Sequence, residues 1–407
     1  MNKQWLQIAL GVLTATGGFV DVGAISTAGA AGSTFGLGLV WVMLLGTLAI
    51  MLLVEMSGRL AAVSGKTYAD GIRERFGFKF YLFPLVSELI ANSLMLAADL
   101  GGIAIALSLF TGIAWHQLVP VAAILVWVTV WRAPFGLIEN VPALLGLVTL
   151  SFWVGIVALG APPHDLLPTL WRPEMERNQV ADYLFLVAAI LGAVVSPYLL
   201  FFYSSGAREE QWSRRSLGVN RATAVIGMGF GSTTAIALIV LAAMVLGPLG
   251  LNGGTLAEMG LGMAKPLGTT GVLLFASALL VTAFGAALEV VLSVGYNVAQ
   301  GFGWEWSEKK TPAEAPRFNL VLLLFLIVAF GVSLIGIDPL QLALYGAAFT
   351  ALVLPVSLLP FLVLMNDRTY LGEDTNGRLT NIATVGILII AFVVAVVSIP
   401  LLIVTRG

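Results

Sequence analysis

Apolar runs of about 20 residues recur from one end of this chain to the other, each long enough as a helix to cross the hydrocarbon core of a bilayer. No other feature narrows the fold so far. Of 407 residues, 59% are hydrophobic and 10% charged, and a water-soluble chain could not hide so much apolar surface behind so few charges. The longest polar interruptions, about 15 to 20 residues, leave no room for a soluble domain. The net charge of −2 gives no hint of a nucleic-acid partner, and the absence of cysteine excludes disulfides, thiolate metal sites and thiol catalysis. Residues 1–33 end in "AGAAGS", a small-residue run like a signal-peptide cleavage region. Asp21 and the length of the apolar run favour a first membrane helix instead.

The pattern predicts eleven spans, at about 5–31, 36–62, 80–111, 116–131, 141–160, 179–206, 219–247, 268–301, 318–336, 339–365 and 380–404. With the N-terminus inside, the inner loops receive every Lys and Arg except Arg172, Arg177, Lys265 and Arg406. The positive-inside rule therefore predicts N-in, C-out topology in the cell's inner (plasma) membrane.

Two spans are interrupted in the same manner. The first carries "GGFVDVGAIST" and the sixth "LGAVVSPYLLFFYSSG". Proline removes a backbone donor, and glycine lowers the cost of leaving helical geometry, so Gly23, Gly192 and Pro197 are the expected break residues. The breaks lie five spans apart, so their helices cross in opposite directions. That arrangement points to an inverted-repeat transporter with its site at the midplane. The repeats are expected at about 1–165 and 166–366, followed by an extra helix at about 367–407, within one transmembrane domain.

Unwinding frees amides and carbonyls, which is tolerable only around a cavity or a bound solute. Asp21 adds a carboxylate at that depth, where a charge needs a partner. A cation supplies one. Asp is also a good helix cap, and capping alone is the competing account.

These residues resemble the Nramp family of proton-coupled divalent-metal transporters. The family's D-P-G-N motif aligns with Asp21, Val22, Gly23 and Ala24, and the likeness continues through "STAGAAGSTFGLGLVW" to "LAAVSGKTYADGIRERFG". Its M-P-H motif aligns with Ser196, Pro197 and Tyr198, and the tenth span resembles "DPLQLALYGAAFTALVLPVSLLPFLVLMNDR". The resemblance implies an all-α, LeuT-type 5+5 inverted repeat plus one C-terminal helix.

The departures bear on the substrate. The resemblance implies a metal cage at these motifs. Here Asp21 is kept, but the family's Asn is Ala24, its Met is Ser196, and a tenth-span Gln is Ala347. Without the thioether, the ligands are oxygens: Asp21, Ser196, Tyr198 and carbonyls near Val22 and Val194. Oxygen ligands suit a hard cation, and Mg²⁺, which sheds water reluctantly, is favoured in a partly hydrated form. The resemblance is then to the Nramp-related magnesium transporters.

The family's two sixth-span histidines align with Tyr198 and Tyr203, and its third-span acids with Leu96 and Asp99. Phenols do not relay protons near neutrality as imidazole does, so obligatory proton coupling is not expected. Asp99 and Glu289 remain candidates for coupling or for a supporting role, and Glu55 and Glu88 rank below them. The alternatives are a LeuT-fold transporter of an organic cation or amino acid, a proton-coupled Mn²⁺ or Fe²⁺ transporter, a channel, and a non-transporting sensor. Neither "GFVDVG" nor "AADLGG" has the context of an intramembrane aspartyl protease, and the two histidines, His116 and His164, fall at the outer side, so a serine hydrolase would lack its histidine within the membrane. The chain is therefore expected to be no enzyme, to need no cofactor and to act as a monomer.

Overall fold

The computed structural model describes residues 20–132, 146–170, 179–253 and 255–405. The elements are α1 (Val22–Phe35), α2 (Val40–Ser64), α3 (Tyr68–Phe76), α4 (Phe78–Thr111), α5 (Trp115–Arg132) and α6 (Ser151–Leu159). After these come α7 (Val180–Val194), α8 (Pro197–Glu209), α9 (Leu217–Val245), α10 (Leu256–Phe302), α11 (Pro316–Ser333), α12 (Pro339–Asn366), α13 (Arg368–Leu371) and α14 (Arg378–Thr405). Among the described residues, eight helices are long and apolar enough to cross a membrane, with α7 and α8 together forming one of them. The first span is described only from its break outward, and its preceding half, 5–19, lies outside the described residues.

The boundary between the third and fourth spans falls at Gly112, whose φ of 73° suits glycine alone and turns the chain out of α4. The eighth span starts earlier than expected. α10 begins at Leu256, where Thr255 accepts from the Glu258 amide at 3.2 Å, and it bends at Gly268 (φ 58°) just after Pro266. Proline and glycine together read as a loop in the sequence, yet a bend satisfies both without ending the helix.

α4 is the central post. It packs against α10, α12, α11, α5 and the start of α1, while α9 lies along α1 and α2. The final helix, α14, covers α12 and α7. At one end of the bundle, where Lys and Arg gather, hydrogen bonds join segments far apart in the chain. Thr67 Oγ1 donates to Gln300 Oε1 at 2.9 Å, and Gln300 Nε2 donates to Ser205 Oγ at 2.9 Å. Arg59 reaches the Asp374 carbonyl at 2.6 Å and Asn376 Oδ1 at 2.8 Å, and the Tyr68 hydroxyl donates to the Ser357 carbonyl.

Candidate functional site

Asp21 is the residue on which α1 starts. Its backbone is extended (φ −102°, ψ −176°), and its side chain turns back over the first helical turn, where Oδ1 accepts from the Ala24 amide at 2.6 Å. A carboxylate at the positive end of a helix is favourable, and this is N-cap geometry. Asp21 is only 3% exposed. Gly23 makes room for it, since a Cβ there would stand 3.1 Å from Oδ1.

The first break therefore lies one step earlier than the sequence suggested. Val22, Gly23 and Ala24 are not unwound: they form the first turn of α1. The Val22 carbonyl accepts from the Ser26 hydroxyl at 2.6 Å and the Gly23 carbonyl from Thr27 at 2.9 Å, so the carbonyl expected to be freed at Val22 is engaged. Because Asp21 caps the helix, the helix can begin at the very next residue, and Gly23 serves as space for the cap.

The second break falls where it was expected. α7 ends at Val194, Val195 and Ser196 form the link, and α8 starts at Pro197. Pro197 has no N–H to give the Ala193 carbonyl four residues back, so the helix cannot run on. Ser196 is 2% exposed, and its side chain makes no cap bond. Gly192, in contrast, is not a break residue. It sits inside α7 against α12, and a Cβ there would collide with the Ala347 carbonyl oxygen. Its function is close helix packing. Ala347 is itself fully buried at that contact.

Asp99 joins the first break from α4. Its Oδ1 accepts from the Val22 amide at 3.3 Å, while its Oδ2 is buried without a hydrogen-bond partner among the described residues. One turn further on, Gly102 faces Val22 so closely that a Cβ would collide with the Val22 side chain. That glycine lets α1 start directly against α4. Tyr198, on the first turn of α8, lies within electrostatic range of Glu289, Asp21 and Asp99. Its carbonyl accepts from Ser293 Oγ at 3.3 Å, which ties α8 to α10 one turn from Glu289.

Asp21, Val22, Asp99, Tyr198 and Glu289 thus share one neighbourhood, with Ser196 at its edge two residues from Tyr198. Tyr203 and Glu55 do not belong to it. The Tyr203 hydroxyl reaches the Asn220 carbonyl at 3.5 Å, and its ring meets Trp212 edge-on. Glu55 pairs with Arg59 at 3.4 Å and Arg221 at 3.7 Å. Both residues lie at the basic end, where arginines supply the partners of Glu55. The sequence reading missed Gly102 and Ser293; the i, i+4 spacing of Ser293 from Glu289 was the available signal.

Among the described residues, no three His, Cys, Asp or Glu side chains gather closely enough to hold a metal by themselves.

A helix that starts on a buried carboxylate and another broken at a proline, inside a bundle of apolar helices long enough to cross a membrane, fit a polytopic membrane protein of LeuT-type fold. Within that class the chain belongs to the Nramp family: residues 11–402 match the family described as natural resistance-associated macrophage protein-like. The divalent metal cation transporter MntH of Aeromonas hydrophila is 27% identical over 391 residues, covering 93% of this chain and 91% of that protein. The Eremococcus coleocola manganese transporter, solved in complex with an aromatic bis-isothiourea substituted compound, shares the fold at a TM-score of 0.79. It is 19% identical, with 98% of this chain and 88% of that chain covered. MhsT in complex with L-phenylalanine shares it at 0.63 and 17% identity, with 96% and 98% covered.

Proposed function

We propose that this protein is a secondary transporter that carries a hard divalent cation, Mg²⁺ in preference and partly hydrated, across the inner (plasma) membrane by alternating access. Divalent-metal transport is what the family and the names of its relatives support. The preference for a hard ion rests on one observation: at the second break, the N-cap residue is Ser196, whose buried hydroxyl does not cap α8, and no thioether stands there. Oxygen ligands suit hard ions such as magnesium and calcium, and without a thioether the site keeps no soft ligand with which to prefer manganese or iron over them. The two interruptions offer the site a carboxyl group at the start of α1 and a hydroxyl beside the end of α7. The protein acts as a monomer, built of two inverted repeats and an extra C-terminal helix, with its basic end in the cytoplasm.

Transport proceeds without obligatory proton movement, because Tyr198 replaces imidazole next to Asp21 and a phenol does not titrate near neutrality. The test is uptake into proteoliposomes across a panel of Mg²⁺, Ca²⁺, Mn²⁺, Fe²⁺, amino acids and organic cations. Saturable Mg²⁺ uptake that excess Mn²⁺ competes with weakly is the expected result. Manganese carried as well as magnesium would overturn the argument from Ser196, and saturable uptake of an organic solute alone would overturn the metal reading.

A further inference from the structure

We infer that Asp99 is a second carboxylate ligand of the cation, so that one divalent ion is held between Asp21 and Asp99. The inference rests on the metal reading above and names the group that replaces its missing ligands.

The two carboxylates flank a single peptide unit. Asp21 precedes the amide of Val22, and that amide donates to Asp99 Oδ1 at 3.3 Å. The other oxygen of the same carboxylate, Oδ2, is buried and has no partner among the described residues. Asp99 is 1% exposed, and its charged neighbour is another acid, Asp21. Two buried carboxylates that close repel each other unless a proton or a cation stands between them. A divalent ion cancels both charges. A monovalent ion or an ammonium group leaves one charge uncompensated in a low-dielectric interior.

The approach is built into the packing. Gly102 admits the Val22 side chain where any larger residue would collide with it, and Gly23 leaves the Asp21 carboxylate its place over the first turn. Together these contacts hold the Val22 amide against Asp99 and leave Oδ2 buried without a partner among the described residues. The amide fixes one oxygen, and the second is the donor offered to the ion. Ser196, Tyr198 and retained waters supply the remaining oxygens, as suits an ion that dehydrates reluctantly.

The experiment is titration calorimetry of Mg²⁺, Ca²⁺ and Mn²⁺ into the purified full-length protein in detergent. Wild type is compared with Asp99→Asn, Asp99→Glu, Asp21→Asn and the double variant. Asp99→Asn is expected to weaken Mg²⁺ binding by more than ~100-fold, beyond the ~10- to 100-fold lost when a residue acts only through a ligand. The double variant is expected to bind no more weakly than Asp21→Asn, since both carboxylates act on one ion. Asp99→Glu keeps the charge but moves the oxygens by one methylene, and is expected to shift preference from Mg²⁺ toward the larger Ca²⁺. If Asp99→Asn binds within about twofold of wild type while Asp21→Asn does not bind, Asp99 is no ligand and the metal reading stands. A wild type that binds no divalent ion overturns both. Should Asp99→Asn fail to elute as a monodisperse peak, the Asp99→Glu arm decides, and an unchanged order of ions overturns the inference.

Discussion

The break before α1 is made by a carboxylate, and the break before α8 by a proline. Asp21 and Ser196 occupy the same N-cap position, yet Asp21 bonds its own helix at 2.6 Å while the Ser196 side chain makes no cap bond at all. Pro197 ends α7 by covalent geometry, because its missing N–H and fixed φ hold whatever else is bound. The Asp21 end is held by a hydrogen bond, which on the metal reading proposed above a bound ion would compete for. On that reading one interruption is rigid and the other responsive: the responsive one bears the carboxylate and the rigid one presents a hydroxyl at a fixed place.

The largest effect should come from removing that charge. Asp21→Asn is expected to lower uptake efficiency by at least ~100-fold while the protein stays folded, because Asn caps a helix about as well as Asp. Uptake and a thermal melt on the same sample separate the two. Retained transport by a folded variant would make Asp21 a cap and nothing more. Next, Pro197→Ala returns a donor to the Ala193 carbonyl and lets α7 run toward α8. Uptake is expected to fall by about 10- to 100-fold through misplacement of the site. Equal losses at both breaks would erase the distinction between rigid and responsive.

Ser196→Met sharpens the comparison further. A thioether at the rigid break should strengthen competition by Mn²⁺ or Cd²⁺ by about tenfold, or ~1.4 kcal/mol, read from inhibition of Mg²⁺ uptake. Gly192→Ala separates packing from breaking: the added methyl meets the Ala347 carbonyl and should cost about 1–3 kcal/mol of stability by denaturant melt. A neutral result would return Gly192 to the role of a hinge. The smallest effect expected is none at all. Internal pH, followed during Mg²⁺ uptake with the membrane potential clamped, should not change in step with transport. Acidification that scales with uptake would mean that a carboxylate does the work of the absent imidazoles, and its loss in Glu289→Gln would identify Glu289.

Much of the fold was legible because lipid leaves the chain few options. Span lengths, Pro197 and the Gly112 boundary follow from hydropathy and backbone chemistry that act locally. Glycine was harder to read, because one residue type has several uses. Gly23 gives a side chain room, Gly192 lets a carbonyl of α12 approach, Gly268 bends a helix, and only their neighbours in space tell them apart. Asp21 stood out in the sequence as a charge in an apolar run. The meeting of Asp99 with Val22 did not, since the face α4 turns toward α1 is set by the Gly102 contact between residues far apart in the chain. Glu55 and Tyr203 misled for the same reason in reverse: their partners, Arg221 and Asn220, come from a helix that the local sequence does not mention.

A carrier that alternates between two sides must make half of every cycle without cargo. In that empty passage a bare carboxylate would have to cross a low-dielectric interior, and the barrier would confine the protein to one-for-one exchange. The bond from the Ala24 amide to Asp21 changes that condition. With the ion gone, the first turn of α1 serves as its placeholder, and the positive end of the helix offsets part of the charge. On the transport reading proposed above, that offset lowers the cost of an unladen return for the Asp21 charge.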